Sequence, residues 1–256
     1  AGKGLETPTF AELAYKSVSP VVNGLNFDLK PAESNNYEIG AKTYLGTSTR
    51  LNAAVFKTDT RNEIVVLINN QGRAVYQNAD SSSRKGFELS VDTAFGGGFS
   101  GLLAYTYLDA RFESSYLTCG ASSACTVPNL TVAAGNKIPG VPANSVYGEL
   151  GWSYIPLGLS TALEARWVDK VFTSDTNADS APGLNDRQAD AYTLVNWRIA
   201  FEQKLGGWKL GEFARVDNIF DEKYVGSVIV NASNGAYFEP APGTNYTVGV
   251  SASYQF

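Results

Sequence analysis

The clearest hydrophobic pattern lies at the C-terminal end. Tyr246, Val248, Val250, Ala252, Tyr254 and Phe256 share one parity, and Asn245, Thr247, Gly249, Ser251, Ser253 and Gln255 share the other. A strand sends successive side chains to opposite faces, so this stretch predicts a strand with one oily and one polar face. The alternation recurs upstream. Residues 33–45 set Tyr37, Ile39, Ala41, Thr43 and Leu45 against Glu38 and Lys42, and residues 87–95 set Phe87, Leu89, Val91 and Phe95 against Glu88, Ser90 and Asp92. Residues 145–154, 159–167 and 192–205 repeat it, with Glu149, Glu164, Arg166, Arg198 and Glu202 on the polar side. Residues 50–67 and 99–112 read as less regular strands. Residues 208–230 are mixed, with Glu212 and Arg215 on opposite faces.

The connections sort by length. Tight, mostly glycine-containing turns fall at 45–49, 95–99, 155–159 and 204–208, and longer polar stretches fall at 68–74, 113–144, 174–191 and 231–243. Short and long connections alternate, as they do in an up-and-down outer-membrane barrel with short periplasmic turns and long external loops. A soluble Greek-key sandwich has no reason to sort its loops this way. Phe95, Phe99, Trp152, Tyr154, Trp208, Tyr254 and Phe256 cluster beside the tight turns or the terminus. That placement fits a girdle of amphipathic rings at headgroup level.

This reading gives nine complete strands, with residues 1–10 as the outer end of a tenth. Bacterial single-chain barrels have an even strand number, and an unpaired edge in lipid is costly. The expectation is therefore the C-terminal part of a larger antiparallel transmembrane barrel, spanning residues 1–256. The chain carries neither a leader nor a methionine, so it reads as a product of a longer reading frame.

Composition narrows the chemistry. A net charge of −5 gives no reason to expect nucleic acid as a partner. No apolar run approaches the ~18 residues of a membrane helix. The chain contains no histidine, which removes Ser-His and Cys-His nucleophile pairs and histidine zinc sites, and it has no Gly-x-Ser-x-Gly elbow. No enzyme activity, metal site or cofactor is expected. Cys119 and Cys125 sit in a Gly/Ser/Ala-rich stretch. In an oxidising compartment they would close a small loop by a disulfide; otherwise they are two free thiols.

Several segments resemble one family, the TonB-dependent outer-membrane receptors. Residues 4–13 (GLETPTFAEL) are similar to its mid-barrel Pro-Thr and Glu-Leu stretch, and residues 29–42 (LKPAESNNYEIGAK) to its LKPE-S segment, with Ala32 as a departure. Residues 83–89 (SRKGFEL) are similar to its R-x-G-x-E strand start, and residues 217–224 (DNIFDEKY) to its N-L-F-D-x-x-Y segment. The terminal Ser253-Tyr254-Gln255-Phe256 resembles its closing strand. The resemblance implies a barrel of roughly 22 strands around an N-terminal plug, with the plug and the earlier strands outside this chain. It also implies import of a scarce nutrient, a ferric siderophore or other metal chelate, energised by the TonB complex through the plug. Tyr246, Val248, Val250, Tyr254 and Phe256 would form the strand read by the barrel-assembly machinery, with outer-membrane lipid against the oily row. The alternative is a passive porin or small structural barrel.

Ligand contacts are expected on the long loops, which end at the outer mouth. The last loop offers Tyr237 and Phe238 beside Asn234. The 174–191 loop offers Arg187 among Asp175, Asp179, Asp186 and Asp190. Aromatic rings with an arginine would suit an aromatic or anionic chelate.

Overall fold

Ten strands form one antiparallel sheet in which each lies beside its sequence neighbour. They are β1 (Gly2–Glu6), β2 (Ala32–Leu45), β3 (Thr49–Asn70), β4 (Arg73–Gly96), β5 (Phe99–Phe112), β6 (Asn144–Tyr154), β7 (Leu159–Val168), β8 (Tyr192–Leu205), β9 (Trp208–Asp217) and β10 (Asn245–Tyr254). The computed structural model describes residues 1–16, 22–70, 73–119, 127–177, 188–232 and 235–255. The sheet is a meander with β1 and β10 at its edges, as the nine-plus-one strand reading expects. The four tight turns fall where the glycine spacing puts them. Gly158 shows why glycine is needed there: its φ is 62°, and any Cβ would strike the Glu202 carbonyl.

One face is an oily band. Across β2 to β5 the register sets Ile39 opposite Val55, Val55 opposite Phe87, and Phe87 opposite Tyr107. The same row then turns charged at Lys57, Lys85 and Asp109, which draws the outer boundary of the band. The inner boundary is aromatic. Trp152 stacks on Tyr154 at 6.0 Å, Phe99 lies 6.3 Å from Trp152, and Trp208 meets Tyr254 at 5.1 Å. Tyr246, Val248 and Val250 are 75–80% exposed. In a soluble sandwich that row would be sealed against a second sheet; here the hydrophobic effect is left for lipid to satisfy.

The apolar core lies in the loops and outer strand ends, not under the sheet. Val65, Ala79, Phe112 and Val132 form one buried cluster, packed by Tyr116 and Ile138, and Leu67, Ile68, Val75 and Cys119 form a second. β3 and β4 make this possible. At 22 and 24 residues they far exceed the ~9–11 residues that cross a bilayer, so their outer halves stand above the band as a hairpin. The long loop expected at 68–74 is thus mostly strand. Ile68 pairs with Val75 across it, and both are buried.

A second departure concerns 208–230. β9 stops at Asp217, where Asn218 takes a left-handed conformation (φ 52°) and turns the chain. Val225–Val228 pairs instead with Phe238–Pro240 inside the last loop.

Candidate functional site

The polar face of β6 to β9 carries a ladder of charges. The register sets Glu149 opposite Glu164 and Arg198 opposite Arg215. Like charges facing across a strand pair repel, but here each acid reaches an arginine two strands on, Glu149 on β6 to Arg198 on β8 and Glu164 on β7 to Arg215 on β9. Arg198 donates to Glu149 at 2.6 Å and to Glu164 at 3.0 Å. Arg215 clasps both oxygens of Glu164 at 2.9 and 2.7 Å, and its Nε donates to Asp217 at 2.7 Å. Tyr147 donates to Glu149 at 2.9 Å. Glu164 sits at the centre with its side chain 9% exposed. Buried charges persist only when paired and hydrogen-bonded, so this face is built for a polar interior.

A similar pair stands on the neighbouring wall. Glu63 has the parity of the oily row, but Asn62 takes φ 53° and reverses the alternation. Glu63 therefore turns inward to Arg84, which holds its two oxygens at 2.7 and 3.1 Å. Below it, Gly86 leaves room for the Phe56 ring, which any Cβ would strike. That accounts for the glycine in the SRKGFEL segment.

Above the ladder, the DNIFDEKY segment is a rigid turn. The Asn218 side chain donates to the Glu222 carbonyl and accepts from the Glu222 N–H, both at 2.9 Å, while its backbone N–H donates to Asn196. The turn delivers Tyr224 onto Tyr192, with ring centroids 4.5 Å apart. These rings line a cleft of about 700 Å³ with Gln188, Asp190, Glu222, Lys223 and Phe238.

The outer loops are pinned together at Asn231, which is fully buried. Its backbone N–H donates to Thr173 O. Its side-chain amide donates to Val66 O at 3.0 Å and to Asp175 Oδ2 at 2.8 Å, and accepts from the Asp175 N–H at 3.3 Å. One residue of the last loop thereby holds a second loop and the β3–β4 hairpin. Burial pushes the Asp175 carboxyl above its ordinary range, and the Asn231 amide offsets only part of this. Burial likewise raises the phenol of Tyr116, which faces Asp175.

The residues predicted from sequence fall as follows. Phe238 lines the cleft, whereas Tyr237 is turned inward and buried, with the Phe238 ring set edge-on against it. Asp190 is in the cleft, while Asp175 is sealed in the loop pin. Arg187, Asn234, Asp179, Asp186 and Phe256 lie outside the described residues. Cys119 is disulfide-bonded and buried; Cys125 lies outside the described residues. Tyr246, Val248, Val250 and Tyr254 lie in the oily row of the edge strand β10. Sequence reading missed Tyr192, Tyr224 and Asn231. The signal for Tyr224 was its place at the end of DNIFDEKY; nothing local marked Asn231.

An oily outer band, an aromatic inner rim, a charged inner wall and loops gathered at one end define the wall of an outer-membrane β-barrel. The family model described as "TonB dependent receptor-like, beta-barrel" matches residues 1–219, and the chain belongs to this family. It is similar to the vitamin B12 transporter BtuB of Photobacterium profundum, with 25% identity over 252 residues, covering 94% of this chain and 34% of the relative. The copper transporter OprC superposes with a TM-score of 0.69 at 17% identity, covering 99% of this chain and 36% of that one. The siderophore receptor PiuA from Acinetobacter baumannii gives 0.65 at 22% identity, covering 87% and 28%. The chain thus spans about a third of the length of these relatives. The family is one of receptors and transporters of the bacterial outer membrane.

Proposed function

We propose that this chain is the C-terminal barrel portion of a receptor that imports a scarce nutrient, a ferric siderophore or another metal chelate, with energy supplied by the TonB complex. On this reading the plug and the earlier strands belong to the same protein upstream, and TonB acts through the plug. The observation that carries the reading is the outward oily band backed by an inward wall of paired Glu and Arg side chains, under loops pinned into one cap. A wall of this kind suits a hydrated or plugged interior and a ligand admitted from the loop side. β10 would close the barrel against the first strand of the same protein, and its terminal row would serve the barrel-assembly machinery by main-chain pairing.

The test is chelate-dependent growth and uptake with the full-length gene present or deleted, under iron, copper or cobalamin limitation. The expected result is loss of uptake of one chelate on deletion, and equal loss when the TonB complex is disabled. Uptake that persists without TonB would favour a passive pore. Uptake of every chelate unchanged by deletion would refute the receptor reading.

A further inference from the structure

The cleft beside Tyr192 and Tyr224 has a charge balance that constrains its ligand. Its aromatic surface comes from the Tyr192–Tyr224 pair and from Phe238. Its charged lining residues are Asp190, Glu222 and Lys223. Among the described residues Lys223 is the one cation lining the cleft, and it is bound to Asp221 Oδ2 at 2.8 Å. Asp221 is held in turn by the Thr244 N–H at 3.1 Å. The lysine is thus paired within the turn, whereas Asp190 and Glu222 line the cleft without a described ion pair. Arg166 faces Tyr224 electrostatically from the wall below but does not line the cleft. Aromatic faces attract planar rings and cations, and uncompensated carboxylates repel anions. A volume near 700 Å³ is ample for one aromatic arm of a chelate or a small complex.

We propose that this cleft is a ligand subsite for a planar aromatic group of zero or positive net charge, and that it disfavours polyanionic chelates. The proposal rests on the receptor reading above and names the ligand class for it. Sequence reading expected an aromatic or anionic chelate met by Arg187 and loop aromatics; the cleft takes up the aromatic alternative, and Arg187 lies outside the described residues.

The test uses the full-length receptor in nanodiscs at low ionic strength, with two aromatic probes of opposite charge; because their ring area differs, the decisive reading is how the ratio of their affinities changes on substitution. One is the iron(II)–phenanthroline complex, a dication; the other is the ferric tris-catecholate complex, a trianion. Binding is read by intrinsic fluorescence quenching. The dication should bind at least ~10-fold more tightly, as expected for two carboxylates acting across a few ångströms of hydrated cleft. The double substitution Asp190→Asn/Glu222→Gln should shrink that ratio by about 10-fold, and Tyr224→Ala should weaken the dication further. Each variant should keep the heat-modifiable electrophoretic shift of the folded barrel. Tighter binding of the trianion would overturn the proposal, as would a ratio unchanged by the double substitution. Binding of neither probe would also overturn it. Gene-dependent uptake of some other chelate would in that case leave the receptor reading standing.

Discussion

Replacing Asn231 with alanine should release the outer loops while leaving the barrel wall intact. The side chain is fully buried and makes three hydrogen bonds, to Val66 O at 3.0 Å, to Asp175 Oδ2 at 2.8 Å and from Asp175 N at 3.3 Å. A neutral hydrogen bond contributes about 1 kcal/mol net and one to a charged group about 1.5–3 kcal/mol. The 3.3 Å contact is long and counts for less. Alanine also leaves a buried carboxylate and a buried carbonyl without these partners. The combined loss is about 3–5 kcal/mol of local stability. Because each 1.4 kcal/mol is a tenfold change in opening, amide exchange in the pinned segments should accelerate by at least ~100-fold. The assay is hydrogen–deuterium exchange of the full-length receptor, comparing peptides covering 65–68, 173–177 and 229–232 with peptides from β6 to β9. Acceleration below ~5-fold in the pinned peptides would refute the role given to Asn231. Equal acceleration in β6 to β9 would show that the barrel wall depends on it too. In the Asn231→Ala/Asp175→Asn double variant no charge is left stranded, so the loss should be smaller by about 1–2 kcal/mol, within the range of coupling between touching residues.

Four further outcomes follow from the same geometry. Asp175 holds its proton to higher pH in the folded protein than its ordinary 3.8, so the native state binds more protons and loop stability should fall as pH rises from about 4. Asp175→Asn should remove that slope and raise loop stability at neutral pH; a cap more stable at pH 7 than at pH 5 would contradict it. Glu212 lies in the oily row between Phe201 and Val250, midway along β9. Glu212→Val should therefore raise barrel stability in lipid by about 1–2 kcal/mol, read as a higher urea midpoint in bilayer refolding, and a lower midpoint would count against the facing assigned to it. Glu164→Ala removes the carboxylate shared by Arg198 and Arg215, and a loss of about 2–4 kcal/mol is expected. Glu164→Gln should recover part of it, whereas an unchanged thermal transition in both variants would dismiss the ladder as a stabilising element. Gly86→Leu drives a side chain into the Phe56 ring and the Tyr107 carbonyl, and should lower the yield of heat-modifiable barrel; Phe56→Ala should restore only part of it, because the Tyr107 backbone carbonyl stays in the way.

Much of the wall was legible because β-structure in a membrane has a strict period. The run from Tyr246 to Tyr254 could bury its oily row in only one way once lipid was the solvent, and glycine-bearing turns fixed where each strand reversed. The loops were read less well, for identifiable reasons. The 68–74 stretch looked like loop because its asparagines are polar, yet Asn69 and Asn70 pair with Ala74 and Arg73 and so extend the ladder beside the buried Ile68 and Val75. The 208–230 stretch looked like one strand because its apolar residues run on, but Asn218 in the left-handed region ends it. Tyr237 and Phe238 are adjacent and chemically alike, and sequence offered no basis for choosing between them. Packing turned one inward and the other into the cleft.

Local alternation determined the strands and their oily and polar faces, since each depends on spacing within one segment; the sorting of short and long connections implied the meander, and motifs spread from residues 4–13 to 253–256 carried the family resemblance. The partners of individual side chains depended on register between strands and on contacts between distant loops. Glu164 meets Arg215 across 51 residues of sequence, and Asn231 meets Val66 across 165. Such meetings arise from chain closure over long separations, and no local period encodes them. For that reason the barrel wall could be read from the chain alone, whereas the cleft, the charge ladder and the loop pin were decided by the tertiary fold.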